Sequence, residues 1–402
     1  MEDLGMRFPV ISQIILNNVD DNSLTNFKMS SRENYNFLDN ERFYWIRNIE
    51  KYSANFEEFQ EIWEKVINKT PVEFSKNLAI DVHRFFKGYT MGTDLGTQKS
   101  VPIYGLRYLE QWHPLFIGAK HCSLLLCEHI VERTGNVNPT RKLDGATPLY
   151  FAAREGHLEI CTFLIKHLDD VNPRENDGWT PLHMAAQEGH IEVCKLLLDH
   201  LYNKNPRDMN GCTPLHLAAA SGHLEICKAI MMHLGNKSPA TNKGTTPLHG
   251  AAYYGHLEVC KFLISDLDDK NPGCHTQRTP LHLAAKNGHV EVCKLLMEFI
   301  DNKNPEDHNG ETPLHLAASK GQLDVYKQII QYLDDVNPSD IHGWTPLHSA
   351  SYYGYFELCE FLSERIEDLN PYTNRGITPI YYANARNHRA IVSLLRLAQI
   401  KN

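Results

Sequence analysis

Asp177-Gly178-Trp179-Thr180-Pro181-Leu182-His183-Met184-Ala185-Ala186-Gln187-Glu188-Gly189-His190 holds a turn, a helix start, a short apolar face and a helix stop, in that order. Asp177-Gly178 reads as a tight turn, because glycine tolerates the positive φ such turns need. Thr180 suits an N-cap, and Pro181 the first helical position, where a missing N–H costs nothing. Leu182, Ala185 and Ala186 supply one apolar face with small residues that admit a neighbouring helix, and Gly189 predicts a left-handed cap. Beyond it, Ile191, Val193, Cys194, Leu197, Leu198 and Leu201 fall at helical spacing, and the chain returns through Asn203-Lys204-Asn205-Pro206. Neither helix is long enough to stand alone, so stability must come from stacking on neighbours.

The same unit recurs along the chain. Thr147, Thr180, Thr213, Thr246, Thr279, Thr312, Thr345 and Thr378 are each followed by proline, at a step of 33 residues every time. A fixed period of that size marks a stacked helical repeat. Such a stack offers a long surface and no closed pocket. The recurring Asp-Gly-x-Thr-Pro-Leu-His-x-Ala-Ala-x-x-Gly-His-x-Glu resembles the ankyrin repeat. That resemblance implies an all-α solenoid of helix-turn-helix units with hairpin-like finger turns over residues 113–402, about nine units with the caps included. The first unit, from His113-Pro114-Leu115-Phe116, is degenerate, with Cys122 where glycine stands later. The last, Thr378-Pro379-Ile380-Tyr381-Tyr382, carries polar Asn384, Arg386, Asn387 and Arg389. Terminal units show one face to water, so irregular ends are expected.

Two departures from the ankyrin pattern carry expectations. Where these repeats usually close the second helix with glycine, this chain has Leu168, Leu201, Leu234, Leu267, Ile300, Leu333 and Ile366. A second helix extended by a residue or two is expected, with that side chain in the core. Asp170, Asn203, Asn236, Asp269, Asn302, Asp335 and Asp368, two residues on, are then candidates for a left-handed exit. Gln277 replaces the turn glycine of the other units, so either it is strained in a left-handed conformation or that hairpin tip differs.

Composition narrows function. A formal charge of −9 without a basic run argues against a nucleic-acid partner. No signal-like or membrane-spanning apolar stretch appears, so no membrane partner is expected. Of the ten cysteines, Cys127, Cys161, Cys194, Cys227, Cys260, Cys293 and Cys359 occupy one equivalent position on successive second helices. Stacked helices lie about 8–10 Å apart, beyond the roughly 7 Å Cα limit for a bridge. These thiols read as small core residues of an intracellular protein, cytoplasmic or nuclear. His183, His216, His249, His282, His315 and His348 follow Thr-Pro-Leu, and His157, His190, His223, His256 and His289 follow the cap glycine. Each recurs once per unit, so no four converge on a tetrahedral metal site. The resemblance implies that the first set hydrogen-bonds the threonine hydroxyl and nearby backbone. No nucleophile elbow, P-loop, dinucleotide loop or zinc-protease helix is present. Neither enzyme activity nor a cofactor or metal is expected.

Residues 1–50 do not follow the period. Phe8-Pro9, Val10-Ile11, Ile14-Ile15-Leu16, a break at Asp20-Asp21-Asn22, then Leu24, Phe27, Met29 and Trp45 read as a small helical unit. It needs a partner, or the helices that follow, to be stable. This order resembles an F-box. The resemblance implies docking to a Skp-type adaptor of a cullin-RING ubiquitin ligase, with Phe8, Pro9, Ile11, Ile15, Leu24 and Met29 as apolar adaptor contacts. The alternative is a helical cap on the open end of the stack. Residues 51–112 contain two helix-spaced apolar runs, Phe56 to Ile67 and Phe74 to Phe86, and read as a spacer.

Variation is confined to a few slots per unit while the framework repeats almost verbatim. The ankyrin resemblance places these slots on the concave face, after the turn glycine and before the cap glycine. Trp179, Tyr253, Tyr254, Arg278, Trp344, Tyr352 and Tyr353 are the candidate partner contacts, since large aromatics offer apolar area at low entropy cost. The two tyrosine pairs stand three units apart, about 30 Å at helix-stacking distances, which fits a protein surface or long peptide. The alternative role for these rings is bracing the stack. Together the readings give a substrate-receptor subunit, with a scaffold or sequestering protein lacking any ligase link as the rival.

Overall fold

The structure is a computed structural model that describes residues 114–401 apart from 121 and 123. The expected F-box-like segment 1–50, with Phe8, Pro9, Ile11, Ile15, Leu24 and Met29, and the spacer 51–112 lie outside the described residues. The described residues fall into two compact units. One runs to Ala152 and includes His157–Asp169; the other holds Ala153–Gly156 and the chain from Asp170 onward.

The first unit contains α1 (Pro114–Lys120), α2 (Leu124–Thr134), the start of α3 (Pro148–Arg154) and α4 (Leu158–His167). Leu115 and Phe116 are fully buried, and Phe116 meets Phe151 edge-on with ring centroids 5.6 Å apart. Cys122, standing where later units have the cap glycine, adopts φ 54°. The hairpin before α3 has one residue more than its successors, and Arg141 steadies it by pairing with Asp144 and lying 4.8 Å over the Phe151 ring.

The second unit contains seven further helix pairs. They are α5 (Pro181–Glu188) with α6 (Ile191–His200), α7 (Pro214–Ala220) with α8 (Leu224–Met231), and α9 (Pro247–Tyr254) with α10 (Leu257–Asp266). Then come α11 (Pro280–Asn287) with α12 (Val290–Phe299), and α13 (Pro313–Ala318) with α14 (Leu323–Ile329). The last are α15 (Pro346–Tyr353) with α16 (Phe356–Ser363), and α17 (Pro379–Ala385) with α18 (Arg389–Lys401). Among the described residues there are helices and no strands. First helices pack in sequence order, α5 on α7 through to α17, and second helices form a parallel row.

Local chemistry sets each unit. Thr180 is extended (φ −118°, ψ 166°) before Pro181, and the capping box it forms with His183 satisfies the first free N–H groups of α5. Gly189 ends α5 at φ 88°. At the corresponding Gly255 (φ 79°) a Cβ would lie 2.4 Å from Nδ1 of His289 in the next unit. Glycine is therefore required there twice, by backbone and by close approach. Leu182, Ala185, Cys194 and Leu197 are fully buried, and the equivalents of Ala185 and Leu197 are fully buried in every pair of this unit. Tyr326 takes the usual cysteine position; it is fully buried, its hydroxyl donates to the Val336 carbonyl, and α14 passes directly into a 3-10 turn at Ile330–Tyr332.

The second helix is not extended as expected. It stops at the residue before Leu168, Leu201, Leu267 and Ile300, each of which is in extended conformation. The burial part of the expectation holds for Leu201, Leu267 and Ile300, which remain buried. The left-handed exit at Asp170, Asn203, Asn236, Asp269, Asn302, Asp335 and Asp368 is also corrected. Among described non-glycine residues only Cys122, Gln277 and Asn387 have positive φ. Those seven side chains instead accept a hydrogen bond from the backbone N–H two residues on, at 2.8–3.1 Å. The turn is made by side-chain acceptance, which leaves the backbone unstrained. Gln277 follows the first of its two alternatives, at φ 60°.

Candidate protein-binding face

The slots stand on a backbone tied from both sides. In the first histidine set, Nε2 of His183, His216, His249, His282, His315 and His348 reaches the carbonyl of Cys212, Thr245, Arg278, Glu311, Trp344 and Ile377, at 3.0–3.3 Å. Each of those carbonyls belongs to the residue after a turn glycine, or after Gln277, in the following unit. The second set points backward. Nε2 of His190, His223, His256 and His289 reaches the carbonyl of Arg154, Gln187, Ala220 and Tyr253, at 2.9–3.0 Å. Hairpin tips are joined by one further backbone bond per junction, such as Met209 N–H to the Asp177 carbonyl at 3.0 Å and Asn242 N–H to the Asn210 carbonyl at 2.8 Å. The backbone that carries the slots is therefore held at the junctions by hydrogen bonds from both sides.

The sequence assigned no role to the second histidine set. Its signal was the recurrence of a polar residue next to a cap glycine, where nothing local requires one.

The candidate aromatics divide by environment. Tyr253 is 42% exposed and Tyr254 59%, and their rings meet edge-on at 4.8 Å. Tyr353 is 54% exposed beside Tyr352 at 4.9 Å. Tyr352 and Trp344 are half-buried in a nest closed by Tyr382, with Trp344–Tyr382 centroids 4.7 Å apart and Tyr352–Tyr382 5.7 Å. The indole N–H of Trp344 donates to Ser349 Oγ at 2.7 Å, and the Arg386 guanidinium lies 4.1 Å over Tyr352. Trp179 is half-buried, 5.9 Å from the His183 ring. Tyr382, which the sequence treated only as part of an irregular cap, is the ring that completes this nest.

Arg278 is engaged within the stack. Its Nε bonds Asp307 at 2.9 Å and its Nη2 bonds Glu311 at 2.7 Å, both in the following hairpin. Asp307 also accepts the N–H groups of Asn309 and Glu311. Burial of Asp307 opposes its charge, but the Arg278 bond and these N–H donors hold its carboxyl below the ordinary value.

Burial disfavours the charged forms of the first-set histidines and of the second-helix cysteines. Burial holds His183, His216 and His282 down to about 4 and lowers His249, His315 and His348 as well. Burial pushes the Cys161, Cys194, Cys227, Cys260 and Cys359 thiols up to about 12. All ten cysteines are free. Among the described residues no group of three or more His, Cys, Asp or Glu is placed to hold a metal ion, and no helix is long and apolar enough to cross a membrane.

A family model for ankyrin repeats, described as three copies, matches residues 115–208, 200–273, 266–340 and 327–401. The chain belongs to the ankyrin-repeat family. No F-box match accompanies the repeats, and no curated protein matches the chain. In this ankyrin array Tyr253, Tyr254 and Tyr353 stand exposed at the ends of first helices, and ankyrin repeats generally bind protein partners.

Proposed function

We propose that the chain captures a protein on the row of first helices and hairpin tips and performs no bond chemistry of its own. One observation carries this reading: Tyr253, Tyr254 and Tyr353 stand exposed at the ends of first helices, while Trp179, Trp344, Tyr352 and Tyr382 beside that row are half-buried. Exposed tyrosines supply apolar area and a hydroxyl at low entropy cost. In its finer form, the captured protein is a substrate for ubiquitination. The N-terminal Phe8, Pro9, Ile11, Ile15, Leu24 and Met29 then dock a Skp-type adaptor of a cullin-RING ligase inside the cell. The support for that half is the order of residues in the F-box-like segment. A scaffold that sequesters its partner without a ligase shares the same capturing face.

The experiment is an affinity capture with the full chain. Recovery of a Skp-type adaptor that is lost with Pro9→Ala plus Ile15→Asp supports the ligase form; no adaptor recovered at all ends it. Captured protein that is retained by Tyr253→Ala with Tyr254→Ala and Tyr353→Ala removes the exposed tyrosines from the binding reading.

A further inference from the structure

The stretch of this face between Tyr253 and Arg386 has a charge opposite to that of the protein as a whole. The chain carries a formal −9, yet the helix-end slots of α9, α11, α13, α15 and α17 contain Lys286, Lys320 and Arg386 and no carboxylate. Those five helices pack in that order, so two of the cations lie between the tyrosine pairs and the third follows the second pair. Lys320 and Arg386 are exposed and Lys286 half-exposed. Among the described residues neither Lys286 nor Lys320 takes part in an ion pair. The one carboxylate in the corresponding hairpin slots, Glu311, is held by Arg278. Acidic side chains in the helix-end slots stand toward the other end of the face, at Glu155, paired with Arg154, and at Glu188, which is exposed.

We infer that this stretch takes an extended acidic segment of a partner protein, with Asp or Glu over Lys286, Lys320 and Arg386 and apolar side chains against the two tyrosine pairs. The inference rests on the protein-capture reading and names the partner chemistry. Three helix steps of about 10 Å separate the pairs, which an extended peptide crosses in about nine residues at roughly 3.3 Å each. Three cations spread along about 30 Å neutralise too few phosphates to hold a nucleic acid against the overall negative charge. Acidic peptides need fewer charge contacts because their apolar side chains supply the remaining affinity.

The test pans phage-displayed random dodecapeptides on the full chain. Enriched peptides are then measured, with a fluorescent label, against the protein and its variants, all checked for unchanged melting. Enriched sequences are expected to combine Asp or Glu with aromatic or aliphatic residues and to bind more weakly as salt rises. Lys286→Glu and Lys320→Glu should each weaken them about tenfold, while Lys294→Glu on the exposed side of α12 leaves them unchanged. Neutral or basic peptides that still require Tyr253 and Tyr254 would overturn the acidic assignment and leave protein capture standing. No enrichment, or binding indifferent to Tyr253→Ala with Tyr254→Ala, would overturn both. Oligothymidylate bound more tightly than any enriched peptide would replace the inference with nucleic-acid binding.

Discussion

His282 Nε2 lies 3.0 Å from the carbonyl oxygen of Glu311, across the junction between two repeats. The other ring nitrogen, Nδ1, accepts the backbone N–H of Thr279 at 3.1 Å. An Nδ1 that accepts leaves the proton on Nε2, so the neutral tautomer is fixed and donates across the junction. A second proton has no place: it would face the Thr279 N–H inside a buried site. The same pair of bonds recurs at His183, His216, His249, His315 and His348.

Acid should therefore unfold this array well before its carboxylates titrate fully. The unfolded histidines take up protons near their ordinary 6.5, while His183, His216 and His282 stay neutral in the fold until about 4. The unfolded state binds more protons between those values, so stability is complete above pH 6.5 and is lost as pH falls through the folded values. Each of the three contributes about 3 kcal/mol over that window. Chemical denaturation from pH 7.5 to 4.5 should show a steep loss with proton uptake on unfolding. A flat profile would remove the histidine bridges from the account of stability.

Gln277 should be improvable. It holds φ 60° where the neighbouring hairpins use glycine, and a left-handed conformation costs a non-glycine residue roughly 1 kcal/mol. Gln277→Gly is expected to raise the melting temperature. The reverse change at the equivalent Gly310, Gly310→Gln, should lower it by more, since φ there is 71° and a Cβ would lie 3.0 Å from the Ile341 nitrogen. Equal melting of Gln277→Gly and the parent would show that the Arg278 bridge, not backbone conformation, dominates this tip.

Thiol reactivity should follow burial and ignore cysteine number. Cys122 is exposed and Cys274 half-exposed, whereas the seven second-helix cysteines are buried. Cys212 is half-exposed, but burial and the nearby Asp208 charge push its thiol up to about 11, which suppresses the reactive thiolate. Burial and the Glu159 charge raise the Cys122 thiol as well. Timed alkylation of native protein, read by mass spectrometry, should label Cys274 and Cys122 ahead of the second-helix row, with Cys122 slowed by that shift. Rapid labelling of Cys194 or Cys260 would mean that the second-helix row opens far more readily than its packing implies.

What could be read from the sequence was what acts within a few residues. Thr180, Pro181, His183 and Gly189 each declare a helix start or stop through neighbours at most four positions away, and the period then multiplies one reading across the array. The side-chain turn at Asn203 was open to the same logic, but its chemistry also permits a left-handed backbone, and only the fold decides between them. His289 to Tyr253 and Arg278 to Glu311 span 36 and 33 residues, so their meeting depends on stacking register and no local pattern announces it. The site was legible as a set of slots. Which slots face water was not, because a ring in a slot packs or projects according to its neighbour in the next unit, as Tyr382 does to Trp344.

That last contact separates two roles that the sequence left joined. Trp344 touches Tyr382, Tyr352 and His348 and donates to Ser349, so Trp344→Ala empties the centre of the nest. A half-buried tryptophan in such contacts should cost about 2 kcal/mol or more on truncation, read as earlier melting of the C-terminal repeats. Tyr353 shares only the edge of Tyr352 and the tilted ring of Tyr355 and is more than half exposed. Tyr353→Ala should therefore melt within about 0.5 kcal/mol of the parent while weakening capture of the partner. Local hydrogen exchange around α15–α17 distinguishes the two. Faster exchange in Tyr353→Ala than in Trp344→Ala would assign the bracing to the outer ring and take Tyr353 out of the binding face.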